Sequence, residues 1–134
     1  MLMIAVAALF GSRVAAADDL AAATITPKGA PNAEKLGWKL GCQAYTFNRF
    51  TFFEAIDKVK ALGLHYIEAY PGQTLSKAHG DVKFDHNMPA TLYPEVLAKL
   101  KAADVKLLNY GVVGLGNDEA ENRKVFGFAK AVGI

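Results

Sequence analysis

The sequence predicts an α/β fold of repeated βα units, and three observations carry that reading. Short apolar runs alternate with amphipathic helical stretches. One junction recurs, as Ala61-Leu62-Gly63-Leu64 before His65-Tyr66-Ile67-Glu68, as Ala103-Asp104-Val105 before Lys106-Leu107-Leu108-Asn109, and as Ala131-Val132-Gly133-Ile134. Each reads as a helix stop leading into a buried strand. Strands separated by helices are parallel and joined by right-handed crossovers. The units therefore describe either part of a doubly wound sheet or the first three βα units of a (β/α)8 barrel, C-terminally incomplete because a full barrel takes about 250 residues.

The first strand is expected over Lys39 to Phe47, with Leu40, Cys42 and Ala44 on one face and Gly41, Gln43, Tyr45 and Phe47 on the other. Thr51-Phe52-Phe53-Glu54 has capping-box spacing, in which hydroxyl and carboxylate satisfy the orphan amides of a helix start. That helix should run to Leu62, with Phe52, Ala55, Ile56, Val59 and Leu62 on its apolar stripe and Gly63 as its stop. His65 to Tyr70 is the second strand, ended by Pro71-Gly72. A long polar loop follows until Pro89 opens a helix with Leu92, Val96, Leu97 and Leu100 as its stripe. The third strand, Lys106 to Val113, leads through glycines to a helix capped by Asn117 or Asp118 and packed through Val125, Phe128, Ala129 and Val132.

Composition narrows the class. The 134 residues are 52% hydrophobic and 21% charged, which fits one globular core. A formal charge of +2 with scattered lysines argues against nucleic acid as a partner. One cysteine, Cys42, leaves no internal disulfide and no cysteine zinc cluster. Met1 to Phe10 is apolar, of signal-peptide length and too short for a stable membrane span, and Val14-Ala15-Ala16-Ala17 offers small residues for cleavage. Residues 1–17 are therefore expected to be a signal peptide of an exported protein, 18–37 a linker and 38–134 the folded part.

In either α/β architecture the site lies at the carboxyl ends of the strands. Alternation in the second strand turns Ile67 and Ala69 toward the helices and Tyr66, Glu68 and Tyr70 toward the interior. A carboxylate there is costly unless paired, hydrated or used, which makes Glu68 the candidate catalytic residue, with a structural ion pair or hydrogen bond as the alternative. Tyr45, Phe47 and Tyr70 suit an apolar wall for the C–H face of a sugar, although each taken singly also fits ordinary core. Gln43, Asn109 and Tyr110 complete the candidate substrate-side set. The loop residues His79, Asp81, Asp85 and His86 match no metal-ligand spacing, so no metal ligand is assigned. Gly111, Gly114 and Gly116 lack the third glycine of a dinucleotide fingerprint, and Asp118 and Glu119 would repel phosphate.

The run Leu40-Gly41-Cys42-Gln43-Ala44-Tyr45-Thr46-Phe47, the ending Ala61-Leu62-Gly63-Leu64 and the strand Tyr66-Ile67-Glu68 together resemble the opening of the xylose isomerase-like TIM barrels, the sugar phosphate isomerase/epimerase family. Asn109-Tyr110-Gly111-Val112-Val113 and the helix from Val125 to Ile134 are similar to its third unit. The resemblance spans about residues 38–134 and selects the barrel over the doubly wound sheet. It implies isomerisation or epimerisation next to the carbonyl of a sugar or sugar phosphate, assisted by a divalent metal such as Mn²⁺ or Mg²⁺. The family's metal ligands come from later strands, so this stretch alone is expected to be inactive. A non-enzymatic carbohydrate-binding or structural barrel module is the alternative. An endonuclease-type phosphodiesterase of the same superfamily sits poorly with the low charge.

Overall fold

The structure, a computed structural model, describes residues 28–134. The expected signal peptide and the first part of the linker lie outside the described residues. From residue 28 the order is α1 (Pro31–Lys35), β1 (Cys42–Gln43), α2 (Phe52–Ala61), β2 (Tyr66–Ala69), β3 (Gln73–Thr74), β4 (Lys83–Phe84), α3 (Tyr93–Ala103), β5 (Lys106–Tyr110) and α4 (Glu119–Ala131). Strands β1, β2 and β5 form a parallel sheet in that order, and β3 and β4 pair as an antiparallel hairpin. No helix among the described residues is long and apolar enough to cross a membrane.

All three recurring junctions turn through left-handed backbone, at Gly63 (φ 73°), Asp104 (φ 55°) and Gly133 (φ 94°). Each reversal ends a helix, the first two lead into β2 and β5, and aspartate is among the few side chains that tolerate this conformation. At the first junction glycine is needed for a second reason. The Gly29 amide donates to the Leu62 carbonyl at 2.7 Å, and a Cβ on Gly63 would lie 2.8 Å from the Gly29 nitrogen. That contact ties the expected linker to the end of α2. The linker also contains α1, a helix that buries no residue.

Helix α2 starts as its sequence dictates. Thr51 Oγ1 accepts from the Glu54 amide, and the Glu54 carboxylate accepts from the Thr51 amide at 2.9 Å. Phe52, Ala55, Ile56 and Val59 are fully buried, whereas Leu62 is half exposed because it is the C-cap and lies beyond the last turn. In α3 the buried line is Val96, Leu100 and Ala103. Leu97 sits beside that line and faces a groove shared with Leu107, Leu108 and Val132.

Expectation fails in two ways: strands end early, and the long loop pairs into strands. The first strand pairs only over Cys42–Gln43 before a 3₁₀ turn, Ala44–Phe47, closed by the Asn48 amide on the Tyr45 carbonyl and the Phe50 amide on the Phe47 carbonyl. The turn drops Ala44 into the core. The third strand likewise stops at Tyr110 instead of Val113.

The long polar loop is the second difference. It folds into the β3/β4 hairpin, which carries Phe84 into the core. Phe84 stacks on Phe52 with ring centroids 4.0 Å apart and meets Phe128 edge-on at 5.3 Å. Tyr110 and Tyr93 also pack edge-on against Phe128. The loop, α2, α4 and β5 thus share one aromatic cluster. Ile67, Ala69 and Leu107 line the sheet face beneath the helices.

Two predictions follow from this packing. Phe84→Ala should lower the unfolding free energy in urea by about 3–5 kcal/mol, the usual cost of a large buried aromatic cavity, and a loss below 1 kcal/mol would contradict the central place of the hairpin. The second concerns acid. Hydrogen bonds from Lys77 and from Thr51 hold the Glu54 carboxyl at about 2, below its ordinary 4.5. A depressed carboxyl adds stability above the unfolded-state value, and that contribution fades as pH falls from 4.5 toward 2. Glu54→Gln should flatten that part of the stability profile relative to the parent chain, as followed by circular dichroism.

Candidate functional site

The sheet has one face covered by helices and one bearing polar side chains. In the parallel register Gln43 lies opposite Glu68, and Glu68 lies opposite Asn109. Neighbouring strands sit about 4.8 Å apart, so the three side chains form a short polar row across β1, β2 and β5. Gln43 Nε2 donates to Glu68 Oε1 at 2.9 Å. Glu68 is therefore satisfied by a neutral amide, and its other carboxylate oxygen makes no hydrogen bond to any described residue.

A β-bulge puts Asn109 in this row. Ile67 pairs with Leu107, but Glu68 pairs with Asn109, so Leu108 is the extra residue on β5. Past the bulge Tyr110 pairs with Ala69, on the buried side. Strict alternation from Leu107 would have given the opposite assignment, with Asn109 inward and Tyr110 in the row. Asn109 and Tyr110, expected together on the substrate side, thus leave β5 on different faces, yet both line the concavity that Glu68 borders.

Tyr110 belongs to the aromatic cluster. Its hydroxyl accepts from the His86 amide at 3.3 Å and lies 3.0 Å from His86 Nδ1. Burial, reinforced by the Asp85 carboxylate, pushes the phenol up to about 12 despite the opposing His86 amide. Tyr45 and Tyr70 pair edge-on, with centroids 5.0 Å apart and planes at 73°. Tyr45 is 57% exposed. Burial raises the Tyr70 phenol above its ordinary value, and Tyr45 adds to the shift. Phe47, expected in the same wall, packs against the core because the 3₁₀ turn rotates it away.

The remaining loop residues are dispersed. His79 pairs with Glu95 at 2.7 Å, Asp85 accepts from the Asn87 amide at 2.8 Å, and Asp81 is exposed. The Asp118 carboxylate accepts from the Ala120 and Glu121 amides, so the start of α4 already holds an anion. Among the described residues no three His, Cys, Asp or Glu side chains gather as metal donors. Glu68, bonded to an amide, does not by itself make a metal site.

A concavity of about 570 Å³ adjoins the row, lined by Glu68, Asn109 and Tyr110 together with Val125, Phe126 and Lys130 of α4. A separate cavity of about 360 Å³ lies by Tyr70, lined by Arg49, Gln73, Lys77 and Lys83. Sequence reasoning singled out none of those four. Arg49 follows the strand-end residue Asn48 and carried a positional signal, but the hairpin that brings Gln73 and Lys83 beside it did not.

The molecule is therefore an α/β unit with a parallel sheet and a polar row at the carboxyl ends of its strands. No protein-family model matches the chain, and no curated protein does. Among solved structures it is similar to the crystal structure of an uncharacterised protein from Parabacteroides distasonis ATCC 8503, with 29% identity and a TM-score of 0.66. The match covers 72% of this chain and 40% of that one, so the chain spans less than half the length of its structural neighbour.

The aromatic cluster makes a spectroscopic prediction. In alkaline titration followed by phenolate absorbance, a late step near pH 12 should disappear in Tyr110→Phe. An unchanged late step would place the buried phenol elsewhere.

Proposed function

We propose that this chain forms the opening three βα units of a (β/α)8 barrel of the xylose isomerase-like kind and supplies the substrate-facing wall of a sugar isomerase or epimerase. The observation that carries this reading is the row Gln43, Glu68 and Asn109 on the uncovered sheet face, with the Tyr45–Tyr70 pair close by at the strand ends. The sequential strand order β1-β2-β5 supports the barrel, because a barrel adds each new strand on the same side of the last. The first half of a doubly wound sheet of order 3-2-1-4-5-6 adds its strands in the same way, so it is the resemblance of residues 38–134 that favours the barrel.

The proposed chemistry is proton transfer next to a carbonyl. The sugar's apolar face lies on the Tyr45–Tyr70 pair. The free oxygen of Glu68 takes the proton from the carbon beside the carbonyl, and the electron pair moves into an enediolate. Returning that proton to the neighbouring carbon, while the hydroxyl proton passes from its oxygen to the former carbonyl oxygen, interconverts ketose and aldose. Gln43 fixes the carboxylate through its amide, and the Asn109 side chain is available to a substrate hydroxyl. The resemblance associates a divalent metal with this chemistry, and the described residues do not gather its donors. No step assigned here runs through it. Export of the protein, expected from residues 1–17, remains part of the proposal.

One observation favours a second reading. Glu68 stands in the row without another acid or a histidine, which suits a carbohydrate-binding module as well as an enzyme.

The two readings separate by experiment. In a polypeptide carrying the remaining strands, with Mn²⁺ or Mg²⁺ supplied, ketoses in D₂O should take up deuterium beside the carbonyl. Glu68→Gln should slow that uptake by roughly 10²–10⁴-fold, the usual range for a general base. Sugar binding without exchange would reject the isomerase in favour of the module. Saturation-transfer NMR that finds no sugar near Tyr45 or Tyr70 would sink both.

A further inference from the structure

We propose that the cavity between the β1–α2 turn and the β3/β4 hairpin is a binding site for the phosphate or carboxylate group of a small hydroxylated anion, held by Arg49 and Lys83. The site is distinct from the polar row, and its assignment depends on charge and shape alone. The cavity measures about 360 Å³, and its charged lining is Arg49, Lys77, Lys83 and Glu54. Glu54 is committed elsewhere. It closes the capping box with Thr51 and pairs with Lys77 at 2.7 Å, so it cancels Lys77 and no other cation. Arg49 makes no ion pair or side-chain hydrogen bond with any described residue, and Lys83 Nζ donates only to Thr74 Oγ1, at 2.8 Å.

Two cations therefore face one cavity without a counter-charge among the described residues, on a chain whose total formal charge is only +2. Like charges brought together repel, and an anion shared between them turns that cost into attraction. Arginine adds a planar fork that matches the paired oxygens of a carboxylate or phosphate. Lys83 is fixed in place by its strand, since Phe84 is buried and alternation turns Lys83 outward.

The neutral part of the lining indicates that the anion is hydroxylated. Gln73, 3% exposed, gives both Nε2 hydrogens away, to the carbonyls of Phe50 at 3.0 Å and Phe47 at 3.3 Å. That fixes the orientation of its amide and leaves Oε1 as a buried acceptor with no partner among the described residues. A lone buried acceptor calls for a donor, and a hydroxyl near the anionic group supplies one. The amides that begin α2 contribute little, because Phe53 donates to Leu75 and Glu54 to Thr51.

Equilibrium dialysis of the 134-residue chain against labelled inorganic phosphate, and separately against labelled glucuronate, tests the site. At least one of these anions should saturate at one equivalent per chain. Arg49→Gln and Lys83→Gln should each weaken that binding at least tenfold with an unchanged circular dichroism spectrum. Lys101→Gln, on α3 outside the cavity, should leave it unaltered. Saturation by phosphate points to a phosphate ester, and saturation by glucuronate alone to a sugar acid. Failure of both anions to saturate overturns the proposal, as does binding that withstands both substitutions in folded protein. Neither result bears on the isomerase reading, which is tested by deuterium uptake, since Tyr70 lines this cavity as well as pairing with Tyr45.

Discussion

The arrangement of the whole molecule depends on Phe84. It sits on a two-residue strand, yet its ring lies against Phe52 of α2 and Phe128 of α4, helices from the first and third βα units. A connection after β2 has no intrinsic reason to be ordered, since its backbone must find partners away from the sheet. Burying one aromatic ring supplies apolar contact over a large area, and Gln73 adds two hydrogen bonds to the carbonyls of the preceding turn. The hairpin therefore covers the core with one face and presents Lys83 with the other.

This two-sidedness couples stability to recognition. Phe84 cannot point inward unless Lys83 points outward, and the pairing of Thr74 with Lys83 sets where along the strand that cation appears. The same logic governs β5. A single extra residue, Leu108, puts Tyr110 in the aromatic cluster and Asn109 in the polar row. Without the bulge the phenol would face the open side and the amide would be buried opposite Ala69, an exchange unfavourable at both positions.

What the sequence revealed was local, and what it hid was pairing. The capping box at Thr51 and Glu54, the left-handed stops at Gly63 and Asp104 and the alternation of Ile67, Glu68 and Ala69 all involve residues a few positions apart. Each is settled by backbone sterics and by which face is apolar, so each can be read directly. The curl after Gln43 is different, because it depends on Ala44 finding a place in a core built from distant helices and strands. The bulge depends on the register of β2 against β5, and the cavity of Arg49 and Lys83 on a hairpin whose pairing residues look like polar loop. Tyr45 and Phe47 show the consequence. Strand alternation gives them one face, whereas the turn sends one to Tyr70 and the other to the core.

The partner of Glu68 bears on what that carboxylate can do. A lysine or arginine in place of Gln43 would pair with it and strongly favour the charged form. Such a group is well held but reluctant to accept a proton, and breaking the pair would strand a charge. An amide fixes the same oxygen at 2.9 Å with a neutral donor. It holds the side chain in one orientation and leaves the second oxygen without a hydrogen bond to any described residue. One cation, Lys130, lines the same concavity as Glu68 without a hydrogen bond to it, whereas Arg49, Lys77 and Lys83 gather around the Tyr70 cavity, where Glu54 offsets only Lys77. Gln43, which alone among the described residues donates to the Glu68 carboxylate, is therefore as informative about this face as Glu68 itself.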